Sequence, residues 1–72
     1  MVVAQLAVLS NREREIAIAI GRGHSTTQVG RHFGISVRTV ESHLLNAYRK
    51  LGIHNRVDLV RRLLHLGIDL EP

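Results

Sequence analysis

Apolar positions recur at helical spacing in four separate stretches of this chain, and each stretch opens on a residue that can cap a helix. The first opens at Ser10-x-x-Glu13, a capping box in which the serine hydroxyl accepts from the third helical amide while the glutamate reaches back. From Asn11 the pattern predicts helix to about Ile20, with Ile16, Ala17 and Ile20 on one stripe. Gly21-Arg22-Gly23 ends it, since glycine tolerates the left-handed conformation that follows a last turn. Ser25-x-x-Gln28 is a second capping box and opens a helix to about Phe33, with Val29 and Phe33 facing inward at i, i+4. Gly30 lies inside this short helix, where it costs about 1 kcal/mol relative to alanine. Close approach of a neighbouring helix is the expected reason for it.

Gly34 supplies a sharp turn with Ile35 at its corner, and Ser36 caps the third and longest helix, which runs to about Leu51. Val37, Val40, Leu44, Ala47 and Leu51 form its expected buried stripe. At about 100° per residue, Arg38, Ser42, Leu45 and Arg49 fall on the opposite side, flanked by Glu41 and Asn46. Gly52 ends this helix, and Asn55-x-x-Asp58 opens a fourth that closes near Gly67. The fourth helix carries two apolar lines: Val57, Val60, Leu64 and Gly67 on one, Leu59, Leu63 and Leu66 on the other. Three short helices cannot easily cover both, so a self-complementary contact between two copies is expected there. The pattern as a whole predicts an all-α, compact four-helix bundle containing a helix-turn-helix. The domain is expected over residues 9–68, after a linker or N-terminal extension (1–8) and before a C-terminal tail (69–72).

Composition narrows the function. A chain of 72 residues with 44% hydrophobic content and no cysteine makes one small domain, stabilised by aliphatic packing and capping rather than by disulfides or thiolate-bound metal. The formal charge is +4, and nine of the ten cations are arginine, which suits bidentate contact with phosphate or guanine. No run of about 18 apolar residues is present, so a helical membrane span is excluded. Met1 to Leu9 is apolar but lacks a basic n-region and does not read as a signal peptide.

Two short helices joined by a sharp turn, the second apolar on one face and polar on the other, are the layout that places a helix in the DNA major groove. Arg38, Glu41, Ser42 and Leu45 are the outward residues of that helix's first turns and the candidates for base contact. Arginine can clamp guanine or phosphate, glutamate can accept from cytosine N4, serine is versatile, and leucine can pack on a thymine methyl. Ser25, Thr26 and Thr27 offer hydroxyls and amides at a helix amino end, and Arg49, Lys50 and Arg56 form an expected basic cluster, all candidates for phosphate. His32, His43, His54 and His65 recur every eleven residues, but no pair stands at i, i+4, so no metal site and no cofactor are expected. Neither a nucleophile turn nor a phosphate loop occurs, so no catalysis is expected.

Leu9-Ser-Asn-Arg-Glu-Arg-Glu-Ile16, Gly23-x-Ser25, Ile35-Ser-x-x-Thr39-Val40-x-x-His43 and Lys50-Leu-Gly52-Ile-x-x-Arg56 resemble the LuxR/NarL/FixJ-type DNA-binding domain. The likeness runs from about Leu9 to Gly67, in order and with matching spacing. It implies a four-helix effector domain of a cytoplasmic bacterial transcription regulator, binding double-stranded DNA as a homodimer, with RNA polymerase as a further partner. It also implies base-facing positions at Glu41, Ser42 and Leu45, phosphate-facing ones including Thr39, Lys50 and Arg56, and a dimer contact on the fourth helix, assigned here to Leu59, Leu63 and Leu66. The chain departs from the family pattern where Thr26-Thr-Gln-Val-Gly30 replaces a common Asn-Lys-Glu-Ile-Ala, and where Glu41 replaces a frequent lysine. Lower affinity and an altered sequence preference are expected from the second change. The competing reading is a protein-interaction module that keeps the helix-turn-helix shape.

Overall fold

Each helix begins where its capping residue stands. The computed structural model describes residues 6–71, among which lie α1 (Asn11–Gly21), α2 (Thr26–Phe33), α3 (Val37–Leu51) and α4 (Arg56–His65), and no strand. Ser10 Oγ accepts the Glu13 amide at 3.1 Å while Glu13 Oε1 accepts the Ser10 amide at 2.9 Å. Ser25 and Gln28 repeat that exchange at 3.1 and 2.8 Å. Ser36 Oγ accepts the Thr39 amide at 3.0 Å, and Asn55 Oδ1 accepts that of Asp58 at 2.9 Å. Each such cap contributes about 1 kcal/mol, a large share for a domain of this size.

Helix α1 lies at the centre, packed against α2, α3 and α4. Its Ile16, Ala17 and Ile20 are fully buried against Val29 of α2, Val40, Leu44 and Ala47 of α3, and Leu59 and Leu63 of α4. The corner of the helix-turn-helix is tightened by the Ile35 amide donating to Gly30 O at 2.9 Å, with Gly34 at φ 67°. The same corner explains Gly30. A Cβ there would come within 2.8 Å of the Ile35 carbonyl oxygen, so the close approach is to the backbone of the turn, with the Val40 side chain behind it at 3.6 Å.

Four expectations need correction. Val37 does not join the buried stripe of α3 but is 38% exposed, because it lies in the first turn at the stripe's edge. Residues 1–8 are not wholly a linker: Leu6 packs into the core beside Leu9, while residues 1–5 lie outside the described residues. The domain does not stop at 68: of the expected C-terminal tail, Asp69 O accepts from the Arg22 guanidinium at 2.9 and 3.1 Å and Leu70 packs against the core.

The fourth correction concerns α4. Leu59, Leu63 and Leu66, assigned to a dimer contact, are the buried line, at 0%, 0% and 3% exposure, and cannot reach a second copy. Val57 and Leu64 are exposed instead, with Val60 half-buried between them. The rotation of α4 buries its larger side chains, the three leucines, and is accompanied by Arg62, whose guanidinium donates to Leu51 O at 2.9 Å and satisfies a carbonyl at the end of α3. With Arg62 turned toward α3, the neighbouring leucine line faces inward.

Candidate nucleic-acid interface

The outward face of α3 is set by the stripe that faces inward. Val40, Leu44, Ala47 and Leu51 are buried, so at about 100° per residue the opposite side presents Arg38, Ser42, Leu45 and Arg49, all exposed, with Glu41 exposed at its margin. Leu45 is 65% exposed, the largest exposure among the large apolar side chains described. Glu41 has no ion-pair partner among the described residues, so it does not pair with Arg38 one turn away. Arg49 donates to Asn46 Oδ1 at 2.6 Å, which steadies its guanidinium along the helix surface. Thr39 is half-buried on one flank, and its Oγ1 accepts from the Ser36 hydroxyl at 2.9 Å, leaving its own O–H free to donate.

The cations expected as one cluster diverge in space. Arg49 points outward, but Lys50 is turned a further 100° onto the Thr39 flank, where its ammonium meets Glu13 Oε1 at 2.8 Å. Arg56 opens α4 beside Tyr48, which lies on the opposite flank of α3. Burial raises the Tyr48 phenol above its ordinary pKa, and the nearby Arg56 charge partly offsets this. Lys50 and Arg56 therefore flank the last turn of α3, one on each side.

At the amino end of α2, Ser25 uses both its amide and its hydroxyl oxygen in the capping box, Thr26 is half-buried and Thr27 is exposed. Among the described residues no three His, Asp or Glu side chains gather where a metal could bind.

Glu13 does more than cap α1: it is buried at 6% exposure and carries an ion pair to Lys50 that the capping pattern does not predict. The partners stand 37 positions apart, and no local pattern announces that contact. The Lys50 hydrogen bond, then the Ser10 amide, hold the Glu13 carboxyl below its ordinary pKa, against the smaller opposing effect of burial. A carboxylate whose pKa is lower folded than unfolded contributes stability that is complete above the unfolded value and lost as pH falls through the folded one. Urea midpoints measured from pH 7 down to about 2 are therefore expected to fall below the usual carboxylate range, and Glu13→Gln is expected to flatten that part of the profile.

Two short helices joined at a tight corner, the second exposing a polar outward face, are the layout of helix-turn-helix DNA-binding domains. Residues 7–63 match the family described as bacterial regulatory proteins, luxR family. The chain belongs to that family, whose members are DNA-binding transcription regulators rather than enzymes. It is 35% identical over 60 residues to the uncharacterized response regulatory protein YgeK of Escherichia coli K12, and 42% identical over 64 residues to the probable transcriptional regulatory protein SgaR of Hyphomicrobium methylovorum. These stretches cover 83% and 89% of this chain but only 41% and 29% of those proteins. Full-length FixJ from B. japonicum superposes with a TM-score of 0.83 at 32% identity, over 92% of this chain and 32% of that one. Among the described residues no helix is long and apolar enough to cross a membrane.

Proposed function

We propose that this domain binds double-stranded DNA sequence-specifically, with α3 in the major groove, as the effector part of a bacterial transcription regulator. The observation that carries the reading is the exposed outward face of α3, with Arg38, Glu41, Ser42, Leu45 and Arg49 opposite the buried stripe and Lys50 and Arg56 flanking its last turn. Arg38, Glu41, Ser42 and Leu45 are the proposed base readers. Thr39, Arg49, Lys50 and Arg56, with the Ser25, Thr26 and Thr27 end of α2, are the proposed phosphate holders. Dimerisation is proposed through the exposed α4 line Val57, Val60 and Leu64 in place of the buried leucines. RNA polymerase remains a proposed partner, and the bacterial cytoplasm the proposed location.

The test is a salt series of binding to random-sequence duplex DNA. Each neutralised phosphate adds about 0.9 to the slope of log affinity against log salt, so a steep negative slope is expected. A flat response would assign the face to a protein partner instead. Lys50→Ala is expected to weaken binding to all sequences alike and to reduce the slope by about one unit. The variant also strands the buried Glu13 carboxylate, so its folding is to be checked by thermal melt at the same pH.

A further inference from the structure

We infer that Glu13 is a positioning residue for DNA docking: it holds the Lys50 ammonium at the edge of the α3 face, where the lysine's remaining N–H groups meet a DNA phosphate. The inference rests on the proposed DNA-binding reading and adds a residue on a different helix to it. Glu13 is the one buried charged residue among those described, and its Oε1 takes both the Ser10 amide at 2.9 Å and Lys50 Nζ at 2.8 Å. Anchored by the capping box, this carboxylate cannot follow the lysine outward. An ammonium has three donors, of which Glu13 takes one. The Lys50 side chain is 40% exposed, so the other donors have access to a ligand.

The placement matters because a free lysine stem is long and flexible, and ordering it on a phosphate opposes binding. Here that ordering is done in the free protein. Thr39, His43 and Lys50 share one flank of α3 at about 100° per residue.

Charge alone and positioning predict opposite signs. Glu13→Gln raises the formal net charge of +4 by one unit, which by itself strengthens DNA binding and steepens the salt slope. Positioning through Lys50 predicts weaker binding, by roughly threefold, and a slope shallower by up to about one unit, the worth of one phosphate contact. Glu13→Asp keeps the charge but withdraws it by one methylene, and is expected to act in the same direction. In a Lys50→Ala background only the charge effect is left, so Glu13→Gln is expected not to weaken binding or flatten the slope any further. Ser10→Ala removes the other half of the same capping box and is expected to lower the melting temperature without moving the slope.

The measurement is fluorescence anisotropy of a labelled random-sequence duplex across a salt series, with thermal melts in the same buffers. Should Glu13→Gln fail to fold, Glu13→Asp decides. Tighter binding with a steeper slope in Glu13→Gln, or unchanged binding in both Glu13 variants, would overturn the inference. So would a Ser10→Ala slope that shifts as far as that of Glu13→Gln, since the role would then be structural. A wild-type protein without salt dependence would remove the DNA reading itself, and is distinguished by needing no variant at all.

Discussion

Leu59→Glu is expected to leave the domain unfolded at 25 °C, while Leu64→Glu, five residues along the same helix, is expected to melt like the wild type. Leu59 is fully buried and Leu64 is 57% exposed. Truncating a buried leucine to alanine alone costs about 2–5 kcal/mol, and a carboxylate in that position adds the cost of an unpaired buried charge. A core of this size rarely supplies more than about 3–5 kcal/mol of net stability, so the penalty exceeds what is available. An exposed substitution, by contrast, stays within about 0.5 kcal/mol. Far-ultraviolet circular dichroism with thermal melts separates the two: a cooperative transition for Leu64→Glu and none for Leu59→Glu. A folded Leu59→Glu variant would mean that α4 is rotated from the orientation described.

The second large effect concerns assembly. Val57→Glu and Leu64→Glu are expected to abolish cooperative occupancy of a paired DNA site while leaving binding to a single half-site intact. Val57 is 61% exposed and Leu64 57%, with Val60 between them on one line. Such an apolar line is self-complementary about a two-fold axis, which would present two α3 helices to half-sites about one DNA turn apart. A contact along one ten-residue helix is small, so free dimerisation is expected to be weak and to strengthen on DNA. Gel-shift titration of one-site and two-site duplexes checks this. Unaltered cooperativity in both folded variants would place the contact elsewhere.

What could be read from the sequence is what is local. The capping boxes at Ser10 and Ser25, the caps at Ser36 and Asn55, and the turn at Gly34 all act over three or four residues, and the structure carries each of them. The outward set on α3 was legible for the same reason, because the helical period links it to a buried stripe of Val40, Leu44, Ala47 and Leu51. On α4 the period was no guide, since both lines are apolar. The choice between them is made by tertiary packing, which takes Leu59, Leu63 and Leu66 into the core and lets Arg62 reach Leu51 O, contacts that no periodicity encodes. Lys50 shows the same limit. Its position at the end of α3 was plain, but its direction is set by Glu13 on another helix. Gly30 stood out as a misfit in a helix, and only the fold shows that the Ile35 carbonyl occupies the space a side chain would need.

The central claim, that the exposed face of α3 reads DNA sequence, is tested most directly by selecting bound duplexes from a random pool. Wild type, Glu41→Lys and Leu45→Ala are to be compared. Each lost base contact is worth roughly 1–3 kcal/mol of discrimination, enough to reshape a selected motif at one or two positions. The account predicts a defined motif for the wild type and a different or relaxed one for each variant, with phosphate-driven affinity largely kept. The same motif from all three proteins, or no enrichment from any, would contradict it.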